Sequence, residues 1–78
     1  MKFTIYSKHG CPYCDKIKSV MYTYNFEHTV YTLDEDFTRQ QFINEFGPGS
    51  TFPQVILNDQ KLGGCVDTVK YLRENKLV

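Results

Sequence analysis

The chain has 78 residues, with nine Lys or Arg against nine Asp or Glu and a net charge of zero. Its length predicts a single domain over residues 1–78, and its balanced charge argues against a basic nucleic-acid binder. No apolar run approaches the ~20 residues of a membrane span, and the first residues lack the apolar stretch of a secretory signal. We therefore expect a soluble, cytoplasmic protein that binds neither nucleic acid nor membrane.

The first half of the chain predicts a strand, a helix and a strand. Apolar and polar residues alternate over Lys2–Ser7, as in a strand with one buried face. Pro12 is a favoured first helical residue, and apolar residues spaced by three and four predict an amphipathic helix over Tyr13–Tyr24. The alternation over Phe26–Leu33 predicts a second strand.

A second helix is predicted after an acidic turn. Asp34, Glu35 and Asp36 precede Phe37, and a helix N-terminus favours negative charge. We therefore expect this helix to begin at the end of the acidic turn and to stop at Gly47–Ser50.

The last third of the chain predicts a hairpin and a helix. Two short strands, Gln54–Asn58 and Lys61–Gly63, are separated by a turn, and a final helix is expected over Asp67–Glu74. The resulting order, β-α-β-α-β-β-α, predicts an α/β fold with a small mixed sheet, parallel first strands and helices on both faces. The buried side of the final helix is predicted to carry Val66, Val69 and Leu72, together with Tyr71.

The three cysteines, Cys11, Cys14 and Cys65, are an odd set with one close pair. Such a set does not fit the disulfide framework of a small secreted protein. A structural zinc site needs four ligands, usually as two spaced pairs, and Cys65, His9 and His28 form no second pair. The C-P-Y-C motif is therefore interpreted as a redox pair, with half of a zinc site or a pair of inert core thiols as the alternatives.

The position of the C-P-Y-C motif favours thiolate chemistry. Cys11 falls at the predicted cap of the first helix, where its sulfur would face the free N–H groups of Tyr13 and Cys14. Lowering a thiol pKa from ~8.5 to about 7 needs roughly 2 kcal/mol, and a helix dipole in a partly buried site supplies up to ~2 kcal/mol. Lys8 would add to this effect, and Asp15 would oppose it. We expect Cys11 to be the exposed attacking thiol and Cys14 the buried resolving thiol.

Two further segments have two interpretations each. Pro53, after Thr51 and Phe52, is either an ordinary edge-strand proline or a cis-proline that leaves the Phe52 backbone free to pair with an extended peptide. The glycines of Gly63–Asp67 allow close backbone approach, so N–H groups there could bind a carboxylate while Asp67 holds an ammonium. Alternatively, that segment is a hairpin exit with Asp67 as the helix cap.

The chain resembles the glutaredoxin family over nearly its whole length. The resemblance rests on I-Y-S-K before C-P-Y-C, then T-F-P-Q-V, then G-G-C-V-D, in this order and at familiar separations. It implies a thioredoxin-like fold with a four-stranded mixed sheet. It also implies a cytoplasmic monomer, without a metal, that uses glutathione as co-substrate to reduce protein disulfides and glutathione mixed disulfides.

The resemblance implies roles by position. Cys11 would be the nucleophile and Cys14 the resolving cysteine. Lys8, helped by Arg39 or by Gln40 one position on, would bind the glycine carboxylate of glutathione. The backbone N–H groups of Cys65 and Val66 would bind the γ-glutamyl carboxylate, and Asp67 would face its ammonium. The full implied glutathione site is Lys8, Tyr13, Arg39, Thr51, Phe52, Pro53, Gly64, Cys65, Val66 and Asp67.

The sequence departs from the family pattern in two places, and two other functions stay open. Val66 stands where many relatives have Thr, Ser or Asp, which removes one side-chain contact to glutathione. Phe52 replaces a more usual Val, but only its backbone would matter. One alternative is a redoxin reduced by thioredoxin reductase that supplies electrons to ribonucleotide reductase. The other is a [2Fe–2S] cluster-binding protein, against which Pro12 argues. Cys65 is expected to be a small buried hydrophobe rather than a regulatory thiol.

Overall fold

The computed structural model describes all residues, 1–78. Its elements follow the predicted order, β-α-β-α-β-β-α, and no helix has both the length and the apolar character needed to cross a bilayer. The elements are β1 (Phe3–Ser7), α1 (Pro12–Thr23), β2 (His28–Thr32), α2 (Arg39–Phe46), β3 (Gln54–Leu57), β4 (Gln60–Gly63) and α3 (Cys65–Glu74).

The four strands form one mixed sheet in the order β2-β1-β3-β4. β1 pairs in parallel with β2, and β3 is antiparallel to both β1 and β4. The β3–β4 hairpin turns at Asn58, whose φ of 54° lies in the left-handed region that Asn tolerates better than most residues. The predicted α/β class and the thioredoxin-like fold are therefore confirmed.

The main core lies between one face of the sheet and helices α1 and α3. Phe3 and Ile5 of β1, Ile17 and Met21 of α1, and Leu72 of α3 are all fully buried in one cluster. Truncating such side chains to Ala costs about 2–5 kcal/mol of stability. This packing holds α1 and α3 side by side and brings their N-termini to the same end of the sheet.

The other face of the sheet is covered by an aromatic cluster around α2. Phe42 of α2 stacks on Phe52 with ring centroids 4.1 Å apart, and Phe37 lies edge-on to Tyr6 at 5.1 Å. Such aromatic pairs contribute about 0.5–1.5 kcal/mol beyond the area they bury. The cluster therefore anchors Phe52, which lies in the loop that leads into β3.

The prediction that α2 begins directly after the acidic turn was wrong. Thr38 is the N-cap, with its hydroxyl accepting the Gln41 N–H at 3.1 Å while the Gln41 side chain accepts the Thr38 N–H at 2.8 Å. This reciprocal capping box satisfies two free donors at once. The acidic turn has a different role, because the Asp36 carboxylate accepts the Thr32 N–H at 2.8 Å and closes the loop after β2.

The predicted start and buried face of α3 also need correction. The helix begins at Cys65, two residues earlier than expected, and its N-cap is Gly64 rather than Asp67. Leu72 is buried as predicted, but the Val66 side chain is 72% exposed. Starting the helix earlier places Cys65 and Thr68 on the buried side, which turns Val66 toward solvent.

Candidate active site

The Cys11–Cys14 pair lies where β1 gives way to α1. Cys11 is the N-cap of α1 in extended backbone, and its sulfur accepts the Cys14 N–H at 3.1 Å. Pro12 occupies the first helical turn, where its missing N–H costs nothing. The two cysteines form a disulfide with their Cα atoms 5.2 Å apart. The predicted cap position of Cys11 is therefore confirmed, with the N–H of Cys14 as the donor.

Cys11 and Cys14 are both buried, which corrects the expectation that Cys11 is exposed. Cys14 is fully buried on the face of α1 that carries Ile17 and Met21, as predicted. Cys11 is only 6% exposed, although it was expected to be the exposed thiol. Its side chain turns toward the helix N–H and is bonded to the buried sulfur of Cys14, so little of it faces solvent in the disulfide form.

A groove of about 310 Å³ lies between the start of α1, the loop before β3 and the start of α3. The peptide bond between Phe52 and Pro53 is cis. Of the two interpretations of that segment, the cis-proline is therefore confirmed over the ordinary edge-strand proline. Eight of the ten residues of the implied glutathione site line this groove, and Lys8 and Arg39 do not. The lining residues are Tyr13, Thr51, Phe52, Pro53, Gln54, Gly63, Gly64, Cys65, Val66 and Asp67.

The N-terminus of α3 has backbone donors that the helix itself does not use. Its N-cap, Gly64, makes no side-chain hydrogen bond to the first turn. The first α3 hydrogen bond runs from the Thr68 N–H to the Gly64 carbonyl at 3.0 Å. The N–H groups of the three preceding residues therefore have no intrahelical acceptor. Together with the helix dipole, they form a place for a carboxylate at the groove wall.

The carboxylate of Asp67 folds back over Gly63. A Cβ atom built on Gly63 would lie 2.7 Å from Asp67 Oδ2, and Gly63 has a φ of +106°. Both facts make glycine the residue that fits there. This close approach holds an exposed acidic group beside the α3 N-terminus, so a ligand with both a carboxylate and an ammonium would find opposite partners side by side.

The two predicted cationic residues lie outside the groove. Lys8 is exposed, with its Nζ 5.6 Å from the centroid of the Phe52 ring. Arg39 is exposed on the first turn of α2 and makes no hydrogen bond or ion pair. Gln40, the other residue considered, donates to the Asn44 side chain at 2.9 Å. Lys8 is therefore beside the groove, through Phe52, and no contact brings Arg39 or Gln40 to it.

The positive φ of Gly63 confirms the conformational freedom expected of the glycine pair. Sequence reasoning missed two residues of this region. Gln54 lines the groove and its side chain donates to the Thr51 carbonyl at 2.9 Å, which ties down the loop. Its position directly after Pro53 was a usable signal. Lys16 lies near Cys65, and no sequence spacing could have connected residues so far apart.

Cys65 is a free thiol with a different environment from the disulfide pair. It is buried at the start of α3 and packs in the main core. Burial raises the pKa of the Cys65 thiol, and the nearby positive charge of Lys16 partly opposes that rise. The neutral thiol is therefore the favoured form. In the whole chain, no three His, Cys, Asp or Glu side chains are grouped so that they could hold a metal ion.

The four-stranded mixed sheet, with a disulfide at the N-terminus of its first helix, places the chain in the thioredoxin-like class of folds. The comparisons with known proteins narrow this class. The family model described as Glutaredoxin matches residues 3–62. The chain belongs to the glutaredoxin family.

Individual relatives agree with this assignment. The chain is 38% identical over 79 residues to Glutaredoxin-C4 of Arabidopsis thaliana, and the match covers 97% of this chain but only 58% of that relative. It is similar to the structure of glutaredoxin 1 from Francisella tularensis complexed with cacodylate, with a TM-score of 0.79 and 29% identity over 97% and 95% of the two chains. A buckwheat glutaredoxin–glutathione complex shares the fold, with a TM-score of 0.80 and 23% identity over 96% and 71% of the two chains.

Proposed function

We propose that this protein is a dithiol glutaredoxin, which reduces protein disulfides and glutathione mixed disulfides with glutathione as the electron donor. The observation that carries the proposal is the groove that includes Tyr13, the residue between Pro12 and Cys14 at the start of α1. Its wall at the start of α3 has unused N–H groups next to the Asp67 carboxylate. A zwitterionic peptide end, such as the γ-glutamyl group of glutathione, matches that pair of charges.

The reaction on a protein disulfide begins from the reduced dithiol. The Cys11 thiolate attacks one sulfur of the substrate disulfide, which forms a mixed disulfide and releases the other substrate sulfur as a thiolate that takes up a proton. Cys14 loses its proton and attacks Cys11 Sγ, forming the internal disulfide and releasing the second substrate thiol. The two electrons have then passed from the Cys11–Cys14 dithiol to the substrate.

Two glutathiones restore the dithiol. The first glutathione thiolate attacks Cys11 Sγ and frees Cys14, and the second attacks the glutathione sulfur bound to Cys11, which releases oxidised glutathione and the Cys11 thiolate. The N–H of Cys14 faces the Cys11 sulfur at 3.1 Å. Because a thiolate is a better acceptor than a thiol, this hydrogen bond stabilises Cys11 both as attacking group and as leaving group.

A glutathione mixed disulfide needs only Cys11. The Cys11 thiolate attacks the glutathione sulfur of the mixed disulfide, and the substrate thiol leaves. A second glutathione then attacks the glutathione sulfur bound to Cys11 and releases oxidised glutathione. With glutathione bound to Cys11, its cysteinyl part would lie along the Phe52 backbone. Tyr13, which is 59% exposed, would cover it from the α1 side. The Nζ of Lys8 lies over the Phe52 ring, 5.6 Å from its centroid, and would face the glycine carboxylate.

The Cys14→Ser variant tests the proposal. We expect it to keep the reduction of a glutathionylated peptide, because that path uses Cys11 alone, and to lose the reduction of a peptide with an internal disulfide. Both rates are measured with glutathione, glutathione reductase and NADPH. The matched control is Cys65→Ser, which should keep both rates. Retention of both activities by Cys14→Ser would remove Cys14 from its assigned role.

A redoxin reduced by thioredoxin reductase is the second candidate. It is favoured by Val66, whose apolar side chain is 72% exposed and offers no hydrogen bond to a γ-glutamyl carboxylate. Reduction of the oxidised protein by glutathione and by thioredoxin reductase with NADPH is compared under the same conditions. Faster reduction by the reductase would favour the second candidate.

The partners and location proposed with this function follow from the family. Glutathionylated or disulfide-containing proteins are the proposed substrates, with ribonucleotide reductase as one candidate. The proposed location is the cytoplasm, and the proposed state is a monomer. Sedimentation of the purified protein tests the last point, since a dimer would contradict it.

A further inference from the structure

A second groove, of about 380 Å³, runs between α1 and α3 next to the proposed glutathione groove. The two grooves share Tyr13, Cys65 and Val66. The second groove therefore reaches Tyr13, the residue directly before Cys14 in the chain. Glutathione, as proposed above, occupies only the first groove, and nothing in the mechanism uses the second. The remaining lining residues are Lys16, Val69, Lys70, Arg73 and Glu74.

The charge of this second groove differs from that of the whole chain. Three cationic side chains line it against one carboxylate, that of Glu74, although the chain as a whole has a net charge of zero. Two further carboxylates lie nearby: Asp15 of α1 has its own cationic neighbour, with Lys18 Nζ at 3.8 Å, and Asp67 of α3 is turned over Gly63 toward the first groove. The groove is therefore a local region of positive charge.

Acidic residues are concentrated in another part of the molecule, around α2. Asp34, Glu35 and Asp36 lie together between β2 and α2, and Glu45 of α2 contacts Lys61 across that side. The α1–α3 side thus has an excess of positive charge, and the α2 side has an excess of negative charge. An approaching acidic chain would be steered toward the α1–α3 side.

The floor of the second groove is apolar and open. Val66 and Tyr13 are 72% and 59% exposed, and Val69 is half-buried between them and the core. A smaller groove continues from it along α1 and α3, sharing Val69 and Arg73 and adding Tyr24. From Tyr13 to Tyr24, α1 rises ~16 Å at about 1.5 Å per residue. This length matches about five residues of extended chain at ~3.3 Å per residue.

We propose that the α1–α3 groove docks an acidic segment of the substrate protein, about five residues long, that also carries an apolar side chain and lies next to the disulfide to be reduced. The cations Lys16, Lys70 and Arg73 would face its carboxylates, and Val66 and Val69 would contact its apolar residue. The inference rests on the proposed function and names a substrate class for it. The redox step is the one already written, with Cys11 attacking the substrate disulfide.

A single-turnover experiment tests this docking. Two peptides are compared that have the same internal disulfide, flanked by glutamates in one and by lysines in the other. Each is mixed with pre-reduced protein, and formation of the Cys11–Cys14 disulfide is followed over time. We expect the acidic peptide to react about tenfold faster at low ionic strength, because complementary charge raises the encounter rate. Added salt should reduce the difference.

A variant with reversed charge locates the effect. Lys70→Glu with Arg73→Glu should remove the preference for the acidic peptide, whereas Lys2→Glu with Lys76→Glu, an equal charge change outside the groove, should preserve it. Equal rates for the two peptides with the unaltered protein, or equal loss in the two variants, would overturn the proposal. The comparison of the two peptides uses only the unaltered protein. It therefore decides whether the charge preference and its salt dependence exist, even if a variant fails to fold.

A separate assay keeps this inference apart from the proposed function. The single-turnover step contains no glutathione, so it can be measured whatever the electron donor is. Turnover of the small mixed disulfide between cysteine and glutathione reports the glutathione reaction and should be unchanged in both charge variants. Failure of that turnover with a clear peptide preference would contradict the proposed function and leave the docking groove supported.

Discussion

The helices α1 and α3 begin beside the same groove, and each has a cysteine at its start, yet the two cysteines differ. Cys11 is the N-cap of α1, and its sulfur accepts the Cys14 N–H at 3.1 Å. Cys65 is the first residue of α3, one position after the cap Gly64, and its side chain packs in the core. The same type of helix N-terminus therefore has a capping sulfur in one case and a core thiol in the other.

The environments of the two cysteines differ because Cys11 is the cap residue of its helix, whereas Cys65 lies one residue after the cap. A cap side chain turns back over the free N–H groups of the first turn, where they favour a thiolate. A side chain at the next position points away from those donors, and burial then raises the pKa of the Cys65 thiol. Because Gly64 has no side chain to cap α3, the free N–H groups of that helix are left for a ligand.

The largest effect is expected when the capping sulfur is removed. Cys11→Ser should lower the glutathione-dependent reduction of a glutathionylated peptide to the uncatalysed rate, because no other thiolate faces the groove with helix donors. Cys65→Ser, at the other helix start, should keep a rate near that of the unaltered protein. Comparable loss in both variants would mean that the two cysteines are not divided as described here.

A chemical contrast should also separate the two thiols. In the reduced protein at neutral pH, we expect Cys11 to react with iodoacetamide more than about tenfold faster than Cys65, since only the thiolate reacts and only Cys11 has helix donors. Peptide mapping by mass spectrometry measures both rates in one sample. The denatured protein is the control, in which the two rates should become similar. Equal rates in the folded protein would contradict the contrast.

Giving α3 a capping side chain makes its start resemble that of α1. Gly64 has φ −83° and ψ −165°, which a serine can adopt, and a Cβ there would lie 3.5 Å from the Pro53 carbonyl oxygen, an ordinary contact. The new hydroxyl of Gly64→Ser would compete for the free N–H groups. We expect the KM for glutathione to rise about fivefold, equivalent to one hydrogen bond of ~1 kcal/mol.

The Gly64→Ser variant should be more stable, although its affinity for glutathione falls. A serine cap in place of glycine should raise the free energy of unfolding by a few tenths of a kcal/mol. Gly64→Ala is the matched control, because it adds the Cβ without the hydroxyl. A similar rise in KM for Gly64→Ala would point to crowding of the groove and not to competition for the N–H groups. Urea unfolding and glutathione kinetics provide the two measurements.

The smallest effect concerns alkaline pH. Burial raises the folded-state pKa of the Cys65 thiol, so the unfolded chain loses this proton first as the pH rises above the ordinary thiol value of about 8.5. The stabilising effect is fully present below that pH and is lost as the pH rises through the folded-state pKa. In the disulfide form, Cys65→Ala should therefore lose less stability than the unaltered protein between neutral and alkaline pH. A steeper loss in the variant would contradict the assignment.

Tyr6 requires a separate control in that alkaline experiment. Burial raises the pKa of the Tyr6 hydroxyl, and the negative charge of Glu45 adds to this rise. Its stabilising effect has the same sign as that of Cys65 and begins to decline near the ordinary tyrosine value of about 10. Keeping the pH range below that value separates the two groups.

The order of elements could be predicted from the sequence because it depends on local patterns. Alternation over β1 and the three-and-four spacing in α1 reflect which side chains are buried against the same core. The cap position of Cys11 was also local, since Pro12 is a strong signal for the first helical turn. The turn at Asn58 followed from a residue type that tolerates positive φ.

The parts that could not be predicted depend on competition between neighbours or on distant contacts. The acidic turn and Thr38 both favour a helix start, and the capping box with Gln41 outweighs the dipole effect of the acids. At α3, Gly64 caps the helix although Asp67 is the better capping residue by type, and Asp67 instead lies in the first turn with its carboxylate over Gly63. The approach of Lys16 to Cys65 exists only once the sheet brings α1 and α3 together.

The most direct test of the central claim is a titration of the oxidised protein with glutathione, quenched with acid and resolved by intact mass and peptide mapping. We predict that one glutathione first appears on Cys11, that the fully reduced dithiol follows, and that Cys65 stays unmodified throughout. Glutathione bound to Cys65, or a Cys11–Cys14 disulfide that resists glutathione while thioredoxin reductase opens it, would contradict the account.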